Sequence, residues 1–245
     1  MRLDKFISHT TDHSRKAVKL LLREGLVQVD GIVARDPGLH IGPAHTVTVG
    51  DTRLNDAGPR YFMLNKPAGY LCATRDGQHP VVLDLLDEPN RDKLQIAGRL
   101  DIDTTGLVLI TDDGQWNHAV TSPRRECHKV YYVETADDIS PDTGRRFAKG
   151  ILLDGEKRRT RPAALELLFA NEARLTIHEG KYHQVKRMFG SVGNRVTALH
   201  REAIGGIALD PDLAEGEYRA LTAAEIASVY GAGAGRNDGA SQSVT

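Results

Sequence analysis

Gly98-Arg99-Leu100-Asp101-Ile102-Asp103-Thr104-Thr105-Gly106-Leu107-Val108-Leu109-Ile110-Thr111-Asp112-Asp113-Gly114 divides into a polar loop, an apolar strand and a polar stop. Leu107 to Ile110 is a short unbroken apolar run bounded by turn residues, the pattern of a buried strand. Asp112, Asp113 and Gly114 have turn chemistry and need no further role. Asp101 and Asp103 differ, because they precede the strand in a loop that opens at Gly98 and carries a cation, Arg99. Loops on a rigid sheet commonly mount catalytic side chains, although a polar loop before a strand is in itself ordinary.

Similar short runs follow downstream. Val130-Tyr131-Tyr132-Val133 and Leu175-Thr176-Ile177 are β-rich, and helical stretches centre on Phe147, Val185 and Glu225. Strands separated mostly by turns, without regular alternation with helices, predict an α+β domain over 61–230, built on a mainly antiparallel sheet with flanking helices. No internal repeat is visible. Asn55-Asp56-Ala57-Gly58-Pro59 has linker composition, which sets a linker at 56–60 behind a front module over 1–55. From Gly231 onward the chain lacks apolar content and is expected to be a disordered tail, 231–245.

Within the front module, Ser14 is a candidate N-cap and Gly25 a candidate stop for a helix over Arg15–Glu24. On a helical wheel Lys16, Lys19 and Arg23 share one face, while Val18, Leu21 and Leu22 share another. Leu26-Val27-Gln28-Val29, the turn pair Asp30-Gly31 and Ile32-Val33 read as a hairpin, with Val47-Thr48-Val49 as a further strand. A helix face with three cations can track phosphates without reading bases.

A formal net charge of -1 over 245 residues leaves no global basic excess, so any nucleic-acid signal must be local. No apolar run reaches the roughly eighteen residues of a membrane span, and Met1-Arg2-Leu3-Asp4-Lys5 lacks the features of a signal peptide. A cytoplasmic protein with no membrane association is expected. Cys72 and Cys127 are too few for a thiolate zinc cage and read as core thiols in a reducing compartment.

Glu179-Gly180-Lys181-Tyr182-His183-Gln184-Val185-Lys186-Arg187-Met188-Phe189 reads as a turn followed by a helix. Val185, Met188, Phe189 and Val192 form its buried face, Tyr182 and Lys186 lie along the edge, and Arg187 points away, free for solvent or phosphate. As a boundary cation, Lys186 can snorkel along the core or reach into a cleft. His183 has no second ligand at i+4, so no metal is expected there.

Four of these pieces, Leu64-Asn65-Lys66-Pro67-Ala68-Gly69, Gly98-Arg99-Leu100-Asp101 through Asp113-Gly114, Lys129-Val130-Tyr131, and Gly180 through Met188, occur in the order found in one family. They resemble the pseudouridine synthases of the ribosomal small-subunit type and their large-subunit relatives. Arg2-Leu3-Asp4-Lys5-Phe6, Ser14-Arg15-Lys16-Ala17 and Val27-Gln28-Val29-Asp30-Gly31 resemble the S4-like RNA-binding module. His128 stands where relatives often carry an acidic residue, and Lys181 where arginine is common.

The resemblance implies that Asp101 is the catalytic aspartate, Tyr131 the aromatic residue against the target uracil, and Lys186 the basic partner of the aspartate. It adds Lys66, Arg99 and Arg187 to Lys16, Lys19 and Arg23 as RNA contacts. The implied activity is isomerisation of a uridine in 16S ribosomal RNA. Uridine 516 is the target in the member that Gly58 to Leu64 and Asp112 to Trp116 most resemble. The implied partner is 16S RNA within a partly assembled small subunit, and the protein is expected to be a monomer. With no redox change or group transfer, no cofactor or metal is implied. A large-subunit target and a non-catalytic RNA-binding assembly factor are the alternatives. Whether the carboxylate attacks the anomeric carbon or takes a sugar proton stays open. A nearby ammonium would keep it ionised, and a flat ring would hold the free uracil as it turns.

Overall fold

The computed structural model describes residues 1–11, 13–42, 44–54, 58–122 and 127–231. Part of the expected linker (56 and 57) and the expected tail beyond 231 lie outside the described residues. The chain separates into two compact units, one of Met1–Arg60 with Glu88–Lys93, the other of Tyr61–Asp87 with the chain from Leu94. Assignment of 88–93 to the front unit is a feature that the sequence did not announce.

The front unit comprises α1 (Leu3–Thr10), α2 (Arg15–Glu24), β1 (Val27–Val29), β2 (Ile32–Val33), β3 (Val47–Val49) and β4 (Thr52–Leu54), its strands ordered β2-β1-β3-β4. Ser14 caps α2 by accepting from the Ala17 amide at 3.2 Å, and Gly25 closes it at φ 76°. The β1–β2 hairpin turns on Asp30 and Gly31, at φ 52° and 79°, the paired positive values of a two-residue primed turn. α2 buries Val18 and Leu22 against Leu3, Phe6 and Ile7 of α1 and Val27 and Val47 of the sheet. Lys16, Lys19 and Arg23 remain exposed. α1, absent from the sequence reading, is only eight residues long, too short for its periodicity to be decisive.

The larger unit runs β5 (Tyr61–Lys66), β6 (Gln95–Ala97), β7 (Thr105–Thr111), α3 (Gly114–Thr121), β8 (Lys129–Thr135), α4 (Thr143–Ala148), β9 (Ala164–Phe169), β10 (Glu172–Ile177), α5 (Gln184–Gly190), β11 (Val196–Ile204), β12 (Ile207–Ala208), β13 (Tyr218–Ala220) and α6 (Ala223–Gly231). Its sheet has the order β13-β5-β7-β11-β8-β10-β9, with β6 also on β7 and β12 also on β11. Among the described strands only β7 and β11 pair in parallel, so the domain is α+β on a mostly antiparallel sheet. β7 is covered on both faces. Leu107 and Leu109 pack with Met63, Trp116, Val120 and Ile204, while Val108 and Ile110 pack with Leu64, Val133, Phe147 and Phe189. Burial on both sides explains why this strand reads as a continuous apolar run rather than an alternation. The Asp-Asp-Gly stop is more than a turn. Asp113 caps α3 by accepting from the Gln115 and Trp116 amides at 2.8 and 3.2 Å, and its other oxygen accepts from the Tyr61 hydroxyl.

Across the middle of this sheet the register sets Lys66 opposite Gly106, Gly106 opposite Arg201, Arg201 opposite Tyr131, and Tyr131 opposite Leu175. Opposed residues project to the same face, so one transverse row crosses five strands and gathers side chains from four of them, Gly106 contributing none. Gly106 makes the row possible. A Cβ there would lie 2.4 Å from the Arg201 carbonyl oxygen, and its φ is 98°, so only glycine admits this approach of β7 to β11.

Candidate active site

Asp101 stands in the loop between β6 and β7, and the loop is held from beneath by atoms of distant segments. Lys66, at the end of β5, is fully buried and donates to the carbonyls of Pro67, Ile102 and Thr104 at 3.0, 3.1 and 2.8 Å. The Gly69 amide donates to the Ile102 carbonyl at 2.8 Å, and the Leu100 amide to Cys72 Sγ at 3.3 Å. Arg201 supplies the remaining ties, from Nη2 to the Gly98 carbonyl at 2.7 Å, from Nη1 to that of Arg99 at 3.5 Å, and from Nε to that of Leu107 at 2.8 Å. These bonds fix the backbone on both sides of Asp101.

The two carboxylate oxygens of Asp101 face different groups. Lys186 Nζ lies 3.4 Å from Oδ2, and His183 Nε2 lies 3.4 Å from Oδ1. Lys186 is thereby brought to Asp101, and its shorter bond is to Asp103 Oδ1 at 2.5 Å. The ammonium is shared between two carboxylates, and its hydrogen bond holds the Asp103 carboxyl below the usual carboxylate range, against the opposing effect of burial. His183 immediately precedes α5 in the left-handed region, φ 45° and ψ 38°. That geometry turns its ring toward Asp101, and a non-glycine residue held there is a strain that the surroundings must sustain.

Tyr131 on β8 is almost wholly buried, and its hydroxyl accepts from Arg201 Nη1 at 3.4 Å. The Arg201 guanidinium carbon lies 5.9 Å from the ring centroid. Arg99, Asp101, Thr104, Tyr131, His183 and Lys186 thus line one solvent-open cleft, whose apolar wall includes Val185 and Leu199. Among the described residues, Thr104 Oγ1 is buried there without a hydrogen-bond partner. Among the described residues, no group of three or more His, Cys, Asp or Glu could hold a metal ion.

Several expected roles need correction. Lys66 cannot reach phosphate, because its ammonium is enclosed and its three donors are matched by three carbonyls; burial also lowers its pKa. Arg187 is not free either. It pairs with Glu156 at 3.3 Å and donates to the carbonyls of Tyr182 and Asp154. Tyr182 lies outside α5 rather than along its edge, 75% exposed, with its ring stacked on that of His183 at 3.8 Å. Arg99 is exposed at the cleft as its expected role requires. Nothing in the sequence marks Arg201 for this site, and the spacing around His183 speaks only to its lack of a second metal ligand. Arg201 sits in a strand flanked by His200 and Glu202, a local pattern indistinguishable from a solvated strand face, so only the register reveals it.

Comparison with known proteins bears on what such a cleft does. Residues 60–191 match the family model described as RNA pseudouridylate synthase, and residues 1–52 match that of the S4 domain. Over 230 residues, 94% of this chain and 100% of the relative, the sequence is 56% identical to the ribosomal small subunit pseudouridine synthase A of Escherichia coli (strain K12). The protein of the same description from Vibrio cholerae is 50% identical over the same shares. The crystal structure of a pseudouridylate synthase superposes with a TM-score of 0.68 at 45% identity, covering 94% of this chain and 99% of the other.

Proposed function

The chain belongs to the RNA pseudouridylate synthase family and carries an S4 domain, and on that premise we propose that it isomerises a uridine of small-subunit ribosomal RNA to pseudouridine, with Asp101 as the reacting carboxylate. The observation that carries this reading is the setting of Asp101, between Lys186 and His183 and in one cleft with Tyr131. The reaction breaks the bond from N1 of uracil to the anomeric carbon, turns the base, and joins carbon 5 to the same carbon. Carbon 5 loses its proton and N1 gains one, so the composition of the RNA is unchanged. The Asp101 carboxylate opens the sequence by attacking the anomeric carbon or by taking a sugar proton. Either act needs a carboxylate held in place, and Lys186 and His183 hold its two oxygens.

Tyr131 offers a ring face for the detached uracil, and base stacking on an aromatic is worth about 1–3 kcal/mol. The cleft opens to solvent and combines charged groups with the apolar Val185 and Leu199. It suits one nucleotide flipped from its strand, and such confinement keeps the free base from escaping to water. Exposed Lys16, Lys19 and Arg23 on α2 are suited to the phosphates of the same RNA, with Arg99 at the cleft.

The test is to incubate the protein with unmodified 16S transcript, with a partly assembled small subunit, and with 23S RNA, then map pseudouridine by carbodiimide modification and primer extension. A new stop at uridine 516 is expected, on the transcript or on the particle. A stop on 23S RNA alone would move the target to the large subunit, and no stop anywhere would leave a binding factor. Asp101→Asn is expected to abolish product while RNA affinity stays within about twofold, because the amide keeps the shape but is a poor nucleophile and base. Substantial residual turnover in that variant removes Asp101 from the centre.

A further inference from the structure

We propose that the turn at Lys157-Arg158 is a phosphate-gripping surface of the catalytic unit, which holds the RNA strand next to the nucleotide that enters the cleft; this rests on the proposed function, which supplies the RNA. The segment 145–161 holds seven lysines and arginines against two carboxylates, in a chain whose net charge is -1. The basic excess absent from the whole chain is concentrated here.

The turn is also built to hold its shape beside the cleft. Its stem closes where the Thr160 amide donates to the Ile151 carbonyl at 2.7 Å and the Ile151 amide to the Thr160 hydroxyl at 2.9 Å. Glu156 then fastens it to the start of α5, with Oε2 2.7 Å from Lys181 Nζ and Oε1 3.3 Å from Arg187 Nη1. Lys181 and His183, on either side of Tyr182, line the cleft itself. Arg187 completes the joint by donating to the Asp154 carbonyl. The phosphate role expected for Arg187 therefore passes to the residues it holds in place.

At the tip, Lys157 and Arg158 are exposed, and no hydrogen bond or ion pair occupies either side chain among the described residues. Glu156, the carboxylate beside them, is already matched by two cations and does not oppose an approaching phosphate. A rigid stem lowers the ordering cost of binding, and cations of this kind set the position of a strand without reading its bases. The ligand chemistry is a run of phosphodiesters, as in the backbone that flanks a flipped nucleotide.

The test uses the full-length protein and naked 16S transcript, with affinity measured by filter binding across a salt series and turnover measured separately. Lys157→Ala combined with Arg158→Ala removes side chains that hold nothing, so the fold is kept. The expected result is an about tenfold weaker Kd, with the slope of log Kd against log salt smaller by roughly 1.4–1.8, from about 0.7–0.9 per phosphate. The single-turnover rate at saturating RNA is expected to stay within about twofold. Arg195→Ala, an exposed cation before β11, is expected to leave the slope unchanged. An unchanged Kd and slope in the double variant overturns the proposal. So does a defect seen only with the partly assembled particle, which would assign the contact to a ribosomal protein. Because affinity is read apart from turnover, a native protein that binds RNA yet makes no pseudouridine sinks the proposed function while this surface is still decided.

Discussion

Arg201 bears a charge at 1% exposure, and its guanidinium bonds to three carbonyls and a phenol rather than to a carboxylate. Removing a cation from water costs several kcal/mol, and here a fan of donors offsets it. The geometry joins three things that chemistry needs fixed together: the loop before Asp101, the strand after it, and the ring of Tyr131. Arginine suits this task because its planar fork reaches several acceptors at once, which an ammonium cannot do. Arg201→Lys is accordingly expected to lower the single-turnover rate by about 100-fold through misplacement of Asp101 and Tyr131. RNA affinity should hold within about twofold, since Arg201 is enclosed. Equal losses in rate and affinity would mean that the residue serves the general fold and not the loop. Lys66 follows the same logic. The sequence marks it as a cation in a motif, but only its enclosure turns it from an RNA contact into a brace for the Asp101 loop.

Among the elements, the parallel contact of β7 with β11 is the most demanding. Gly106→Ala would drive a methyl group into the Arg201 backbone and force a strained φ, so a loss of about 2 kcal/mol or more is expected in urea unfolding. Wild-type stability in that variant would show that the strands can separate without harm. The last helix is secured differently. Thr222 and Glu225 form a capping box, with the Glu225 amide donating to the Thr222 hydroxyl and the Thr222 amide to the Glu225 carboxylate, while Arg219 lies 2.8 Å from the other oxygen. The hydrogen bond from the Arg219 guanidinium brings the Glu225 pKa down to about 2 from its ordinary 4.5. A depressed carboxyl stabilises the fold above its unfolded pKa and ceases to do so as pH falls through its folded one. The stability difference between wild type and Glu225→Gln should be complete above about pH 4.5 and vanish towards pH 2. A difference that stays constant over that window would mean that the amide replaces the carboxylate without loss.

At the scale of the whole molecule, RNA recognition is expected to draw on the front unit as well as on the cleft. Lys16→Ala, Lys19→Ala and Arg23→Ala together should lower the salt slope of RNA binding by up to about 0.7–0.9 per phosphate contacted, and leave the saturated rate of the catalytic unit near wild type. An unchanged slope would return that helix face to solvent. Local features of both units were legible because they arise from neighbouring residues: the Ser14 and Gly25 ends of α2, the Asp30-Gly31 turn, the apolar run of β7. Motif resemblance then named Asp101, Tyr131 and Lys186, and the cleft holds all three. Cations are harder to read, since the sequence shows a charge but not its surroundings, and Lys66 and Arg187 therefore look like RNA contacts until their partners are seen. The amino-acid sequence by itself determined the family, the α+β class and the front-unit helix and hairpin, and it singled out Asp101 as the candidate carboxylate. Only the tertiary structure decided that Lys66, Gly106, Arg201 and Tyr131 form one row behind it. That row depends on the pairing of strands far apart in the chain, and no local pattern encodes which strands will meet.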